Sequence, residues 1–292
     1  MKNRTKLPNF RAPRASSGAL SVRKSFIISA RKAGAQIRGF RFTRLVVDRI
    51  IGVVGELLLT AGVFVLLFLG WHMWFNSMVS AIAQQEAAQE LSGEWELTTA
   101  ASVEFDKLSG NSAGLSTTIE PPVISSPSEI AQTFATLIVP RFGGTFERAI
   151  GQGIDPKLVL NPRRIGVGHY PQSNDLGEVG NFAVAAHRTG WGEPFGEIDK
   201  LQLGDRIYVE TQKGWYVYRF RNLEYVWPKG VGVLNAVPQS NAKAQDRILT
   251  LTSCHPKSTA SERIIAYSTF ETFIPREAGA PLEVVQVKEA NQ

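Results

Sequence analysis

The sequence predicts an all-β domain tethered to a membrane by one N-terminal helix. Three observations predict it. From about Phe134 onward, short runs rich in Val, Ile, Phe, Tyr and Thr alternate with turn formers such as Gly143-Gly144, Gly204-Asp205 and Lys213-Gly214. Long helical windows are few in the same region. A single apolar stretch, Ile50 to Trp71, is broken only by Glu56 and Thr60.

The chain begins with a basic arm, residues 1–49. Residues 1–50 hold thirteen Lys and Arg against one acid, Asp48, a local charge of +12. The whole chain carries +6, so the remainder sums to −6. A nucleic-acid domain carries its basic stripe on the fold itself, so this distribution excludes nucleic acid as the partner. The arm has the composition of a disordered segment, with Ser21 to Asp48 suited to a basic amphipathic helix on the inner leaflet.

Residues 50–75 form the expected membrane segment. Ile50 to Trp71 as a helix is about 33 Å long, the thickness of a bilayer core. Trp71, Trp74 and Phe75 lie at its far end, where interfacial aromatics belong. The basic arm lies at its near end, which predicts a cytoplasmic N-terminus and an extracellular remainder. Glu56 sits about two turns in, within reach of the interface. Ala81-Ile82-Ala83 resembles a signal-peptidase site, but both the basic region and the apolar run exceed those of a cleaved signal. An uncleaved signal anchor is expected.

Residues 76–130 are expected as extracellular helix and linker. Residues 76–98 have helix-forming composition and read as an outward extension of the membrane helix. Residues 99–130 include SGNSAGLSTTIEPPVISSPSE, a linker composition. Residues 131–288 are the predicted β domain, a sandwich or a barrel. Within it, Gln212-Lys213-Gly214 reads as a hairpin turn and Glu197 to Leu201 as one short helix.

Cys254, in TLTSCHP, is the only cysteine. It has no partner for an intrachain disulfide, and structural cysteines outside the cell usually come in pairs. A reactive thiol is therefore expected, supported by an imidazole or a cation. Four histidines are available. His72 lies at the membrane end. His255 adjoins Cys254, and neighbouring strand residues face opposite ways. His169, in GVGHYP, reads as a loop residue. His187 closes the strand-like run NFAVAA before a glycine-bearing loop and is the expected acid/base. Arg263 follows a loop of Pro256 to Ser261; if the flanking strands pair antiparallel, it sits beside Cys254. Always charged and unable to act as a base, it suits a carbonyl or oxyanion. Glu193, Glu197 and Asp199 lack metal-site clustering, and Gly166-Val167-Gly168 is too short to cradle phosphate. No metal and no cofactor are expected.

Thr250-Leu251-Thr252-Ser253-Cys254 with the downstream Arg263 resembles the TLxTC signature and arginine of the sortases. GHYPQSNDLGEVGNFAVAAHR and the GELLLTAGVFVLLF anchor look most like the class E enzymes of actinobacteria. Ser253 departs from the usual Thr, keeping the hydroxyl and losing the methyl. The resemblance implies a closed eight-stranded β-barrel with short helices. It implies Cys254 as nucleophile, His187 as general acid/base, Arg263 as oxyanion or substrate stabiliser, and Thr252 and Ser253 beside the substrate. The implied partners are secreted proteins bearing an LAxTG- or LPxTG-type sorting signal and an amine of a peptidoglycan precursor. Two rivals stand beside it: another wall-directed thiol enzyme, such as an L,D-transpeptidase or a peptidoglycan peptidase, and a non-catalytic anchored binding module.

Overall fold

The computed structural model describes residues 23–109, 120–257 and 259–290. The start of the expected basic arm and the middle of the expected linker lie outside the described residues. The chain divides into two compact units, Met1–Leu67 and Phe68–Gln292.

A first helix, α1, spans Arg23–Gly70. Within it Val46–Gly70, 25 residues, is long and apolar enough to cross a membrane. Its described apolar side chains, such as Leu58, Leu66 and Phe68, are exposed, as a lipid-facing helix requires. This stretch overlaps most of the expected 50–75, and Val46 and Val47 carry its start back past Asp48 and Arg49.

The second unit takes in the last residues of α1, a π-helical turn, Trp71–Phe75, and a helix α2, Asn76–Ser109. The helix runs further into the expected linker than composition suggests. Eight strands follow: β1 Thr133–Ile138, β2 Glu147–Gln152, β3 Val167–His169, β4 Gly180–Ala186, β5 Arg206–Thr211, β6 Gly214–Val226, β7 Arg247–His255 and β8 Glu262–Pro275. They close into a barrel in the order β1-β2-β3-β4-β7-β8-β6-β5. A short helix α3, Leu282–Glu289, packs Val284 and Val287 against Tyr208, Trp215 and Val217. Closure removes the free sheet edges that a sandwich would leave.

Strand chemistry explains the pairings. β5 and β6 form the expected hairpin, Thr211 opposite Gly214. Gly214 has φ +143°, and a Cβ there would lie 2.2 Å from the carbonyl oxygen of Ile274, so the turn requires glycine. The expected helix at 197–201 is a 3-10 turn, Ile198–Lys200. Inward residues alternate with outward ones: Phe182 and Val184 of β4, Leu249 and Leu251 of β7, and Ile264 and Ala266 of β8 fill one core.

α2 docks on the barrel. Ser77, Ser80, Gln84, Ala88 and Ser92 are its buried positions, spaced by three and four residues. Chain packing also begins ahead of residue 131. Ile124 bridges Leu176, and Tyr216 donates to the carbonyl of Pro122.

Candidate active site

β4 and β7 run parallel and in register, from Gly180 beside Arg247 to Ala185 beside Thr252. Past that ladder the Ser253 hydroxyl donates to the carbonyl of Ala186 at 2.8 Å. The two chains therefore stay side by side up to the residues that precede Cys254 and His187. On its other edge β7 pairs antiparallel with β8, and Cys254 is the direct partner of Arg263.

Alternation sets the face. Val184, Ala186, Leu249, Leu251, Ile264 and Ala266 point into the core. Cys254 and Arg263 therefore fall on the outer face of adjacent strands, Thr252 shares that face but is itself buried, and His187 follows the last residue of β4. Ser253 faces the other way. It is buried, and its hydroxyl ties β7 to β4 instead of facing the outer surface that carries Cys254.

The nucleophile candidate Cys254 is half-buried and free. Arg263 is held by its own loop, Nη1 donating to the carbonyls of Ala260 at 2.9 Å and Glu262 at 2.8 Å. Thr252 Oγ1 donates to the carbonyl of Val184 at 3.3 Å, so it accepts from the Tyr170 hydroxyl at 3.0 Å. Burial pushes the Tyr170 phenol above its ordinary range, against the Thr252 hydrogen bond and the nearby Arg263 charge, which pull it down. Tyr170 thus stays a protonated donor on the same surface.

His187 is half-buried at the end of β4. Its Nε2 lies 2.8 Å from Asn161 Oδ1. Asn161 follows a π-helical turn, Pro156–Leu160, capped by the Asp155 carboxylate accepting from Lys157 N and Leu158 N. Burial lowers the pKa of His187 below that of a free imidazole, which favours the neutral ring.

α2 reaches both loops that flank His187. Gln84 Nε2 donates to the carbonyl of Trp191 at 2.9 Å, and Arg163 Nη2 donates to Asn76 Oδ1 at 3.2 Å. A Cβ at Gly166 or Gly192 would come within 2.3 or 2.6 Å of the Gln84 side chain. Both loops are cut to admit that one amide.

The other histidines divide cleanly. His169, expected in a loop, ends β3 and is buried. Its ring stacks on Phe182 at 4.7 Å, with Gln152 Oε1 2.9 Å from Nδ1. It is a core histidine, because the parallel β2–β3 pairing extends the strand through it. His255 faces away from Cys254, as strand alternation predicts, and meets Arg188. Tyr170 and Asn161 were not among the sequence-derived candidates. Tyr170 stands 82 residues from Thr252 and Asn161 stands 26 from His187, and no local spacing signals either contact.

Comparison with known proteins gives this arrangement its class. The sortase-domain family model matches residues 137–271, and the chain belongs to the sortase family, whose members are cysteine transpeptidases. Among its relatives, Sortase SrtE1 of Streptomyces coelicolor is 31% identical over 277 residues, covering 92% of this chain and 67% of the relative. Sortase SrtE2 of the same organism is 29% identical over 247 residues, covering 81% and 88%. The structure of the SrtA sortase from Actinomyces oris superposes with a TM-score of 0.53 at 37% identity, covering 57% of this chain and 94% of that one.

Proposed function

We propose that this sortase cleaves an LAxTG- or LPxTG-type sorting signal between Thr and Gly, then transfers the new acyl end to an amine of a peptidoglycan precursor. Cys254 is the nucleophile, His187 the general acid/base and Arg263 the oxyanion or signal donor. One observation carries this assignment: Cys254 pairs across the sheet with Arg263, while β4, which leads directly into His187, runs beside β7.

The chemistry follows from the site. Asn161 Oδ1 only accepts, so the His187 proton sits on Nε2 and Nδ1 is free as a base. Neutral His187 takes the Cys254 proton, and the thiolate attacks the Thr carbonyl. Arg263 donates to the resulting oxyanion. The imidazolium then protonates the Gly nitrogen, the Thr–Gly bond breaks and a thioester remains. An incoming amine attacks that thioester, His187 takes its proton, and the thiolate leaves. The membrane span supports a signal anchor with the arm inside and the barrel outside, near membrane-tethered substrates.

The test incubates the full-length protein in detergent with an LAxTG peptide and an amine acceptor. Cys254→Ala is expected to abolish both cleavage and the thioester adduct seen by mass spectrometry. His187→Ala is expected to lower turnover by about 10²–10⁴-fold. Cleavage of isolated muropeptides in place of the signal peptide would favour the L,D-transpeptidase or peptidase rival. A thiol inert to alkylation across pH would favour a binding module.

A further inference from the structure

One position beyond each reacting residue stands a second pair. Arg188 follows His187, and its side chain is 3% exposed. His255 follows Cys254. Arg188 Nη1 donates to His255 Nδ1 at 2.6 Å, and Arg188 Nη2 meets Asp199 Oδ2 at 2.9 Å. A guanidinium has no acceptor atom, so His255 Nδ1 carries no proton and the ring is held as the Nε2–H tautomer. Tyr225 of β6 packs its ring on His255, centroids 4.6 Å apart, and Glu262 of β8 lies 4.0 Å from Nε2.

The placement follows from the ladder. Backbone pairing of β4 with β7 stops at Ala185 and Thr252, short of either reacting residue. Two side-chain ties then continue it. Ser253 to Ala186 joins the residues just before Cys254 and His187; Arg188 to His255 joins the residues just after. The reacting pair is bracketed on both sides. Alternation puts His255 on the face of β7 opposite Cys254.

We infer, taking Cys254 and His187 as the reacting pair, that Arg188 and His255 are positioning residues that hold those two side chains at proton-transfer distance. Thiol-to-imidazole transfer needs hydrogen-bond geometry, and a shift of about 1 Å costs on the order of 10²-fold in rate. The tie suits the task. Arg188 is charged and buried, and its fork is anchored on Asp199, so the bond to His255 has a fixed direction.

The test measures steady-state transpeptidation of an LAxTG peptide by the full-length protein, with thermal unfolding alongside. His255→Ala is expected to lower kcat about 10–100-fold and leave KM within about twofold. His255→Asn places an acceptor where Nδ1 stood and is expected to recover most of that loss. His255→Gln places its acceptor further out, near the Nε2 position, and is expected to remain impaired. The Asn and Gln variants carry the comparison if the Ala variant fails to fold. Arg188→Lys combined with His255→Ala is expected to lose no more than the worse single variant, because the pair acts as one unit. Full kcat in His255→Ala, or equal losses in the Asn and Gln variants, would overturn the inference while Cys254→Ala stays inactive. A Cys254→Ala protein that still cleaves would instead overturn the assignment of the reacting pair.

Discussion

At the scale of single residues, geometry is set by what each group can donate. Arg263, the cross-strand partner of Cys254, uses Nη1 on two backbone carbonyls of its own loop, which fixes the plane of its guanidinium. A lysine offers a point charge and no fork. Arg263→Lys is therefore expected to lower kcat/KM by about 10²–10³-fold with an unchanged melting curve, read from steady-state kinetics. His187 is governed by burial. Its lowered pKa keeps the base form neutral to lower pH than a free imidazole, near 6.5, so the acid limb of kcat/KM should lie below that value. An acid limb at or above 6.5 would show that burial does not govern this ring. The nucleophile candidate and its arginine were legible because strand alternation and one loop suffice to bring Cys254 beside Arg263. Tyr170 and Asn161 were not, because their partners come from other strands.

At the scale of elements, the barrel carries two helices through a buried polar tie. Ser92 Oγ of α2 lies 2.9 Å from both Glu147 Oε1 on β2 and Glu210 Oε2 on β5. One hydroxyl proton serves only one carboxylate, so the other carboxyl brings its own proton. Glu210 is the ionised member, paired with Arg276 at 2.9 Å and with Lys288 of α3 at 3.1 Å. Glu147 is the protonated one, pushed up to about 7 by burial and by the Glu210 charge. The folded chain thus holds this proton more tightly than the unfolded chain. Its contribution is complete below about pH 4.5 and is lost as pH rises through about 7. Glu147→Gln keeps a donor to Ser92 and does not titrate. Between pH 5 and 8 the wild type should lose about 2 kcal/mol relative to that variant, measured by urea unfolding. Parallel curves at both pH values would exclude a protonated Glu147. The docking of α2 was hidden in sequence for a physical reason. Its buried face is Ser77, Ser80, Gln84, Ala88 and Ser92, which lacks the apolar stripe by which a packed helix is recognised.

At the scale of the whole molecule, charge and hydropathy separate along the chain: a basic arm, an apolar span and an acidic remainder. The proposed orientation, arm inside and barrel outside, rests on the positive-inside rule. A phosphatase reporter that matures only outside the cell, fused after Gln292, is expected to be active. Replacing Arg38, Arg41, Arg44 and Arg49 with acids is expected to reduce that activity. A silent fusion on the native arm would reverse the proposed topology.

Composition along the chain was enough for a helix long and apolar enough to cross a membrane, for the all-β character and for the β5–β6 hairpin. Those features depend on windows of a few to twenty residues, where periodicity and turn chemistry act. Closure of the barrel settled the rest. It chose barrel over sandwich, moved His169 from loop to core, laid α2 along the strands, and set Arg188 against His255 across 67 residues of sequence. Contacts at such separations are selected by which faces meet once every strand has found its neighbours, and no local window contains that information.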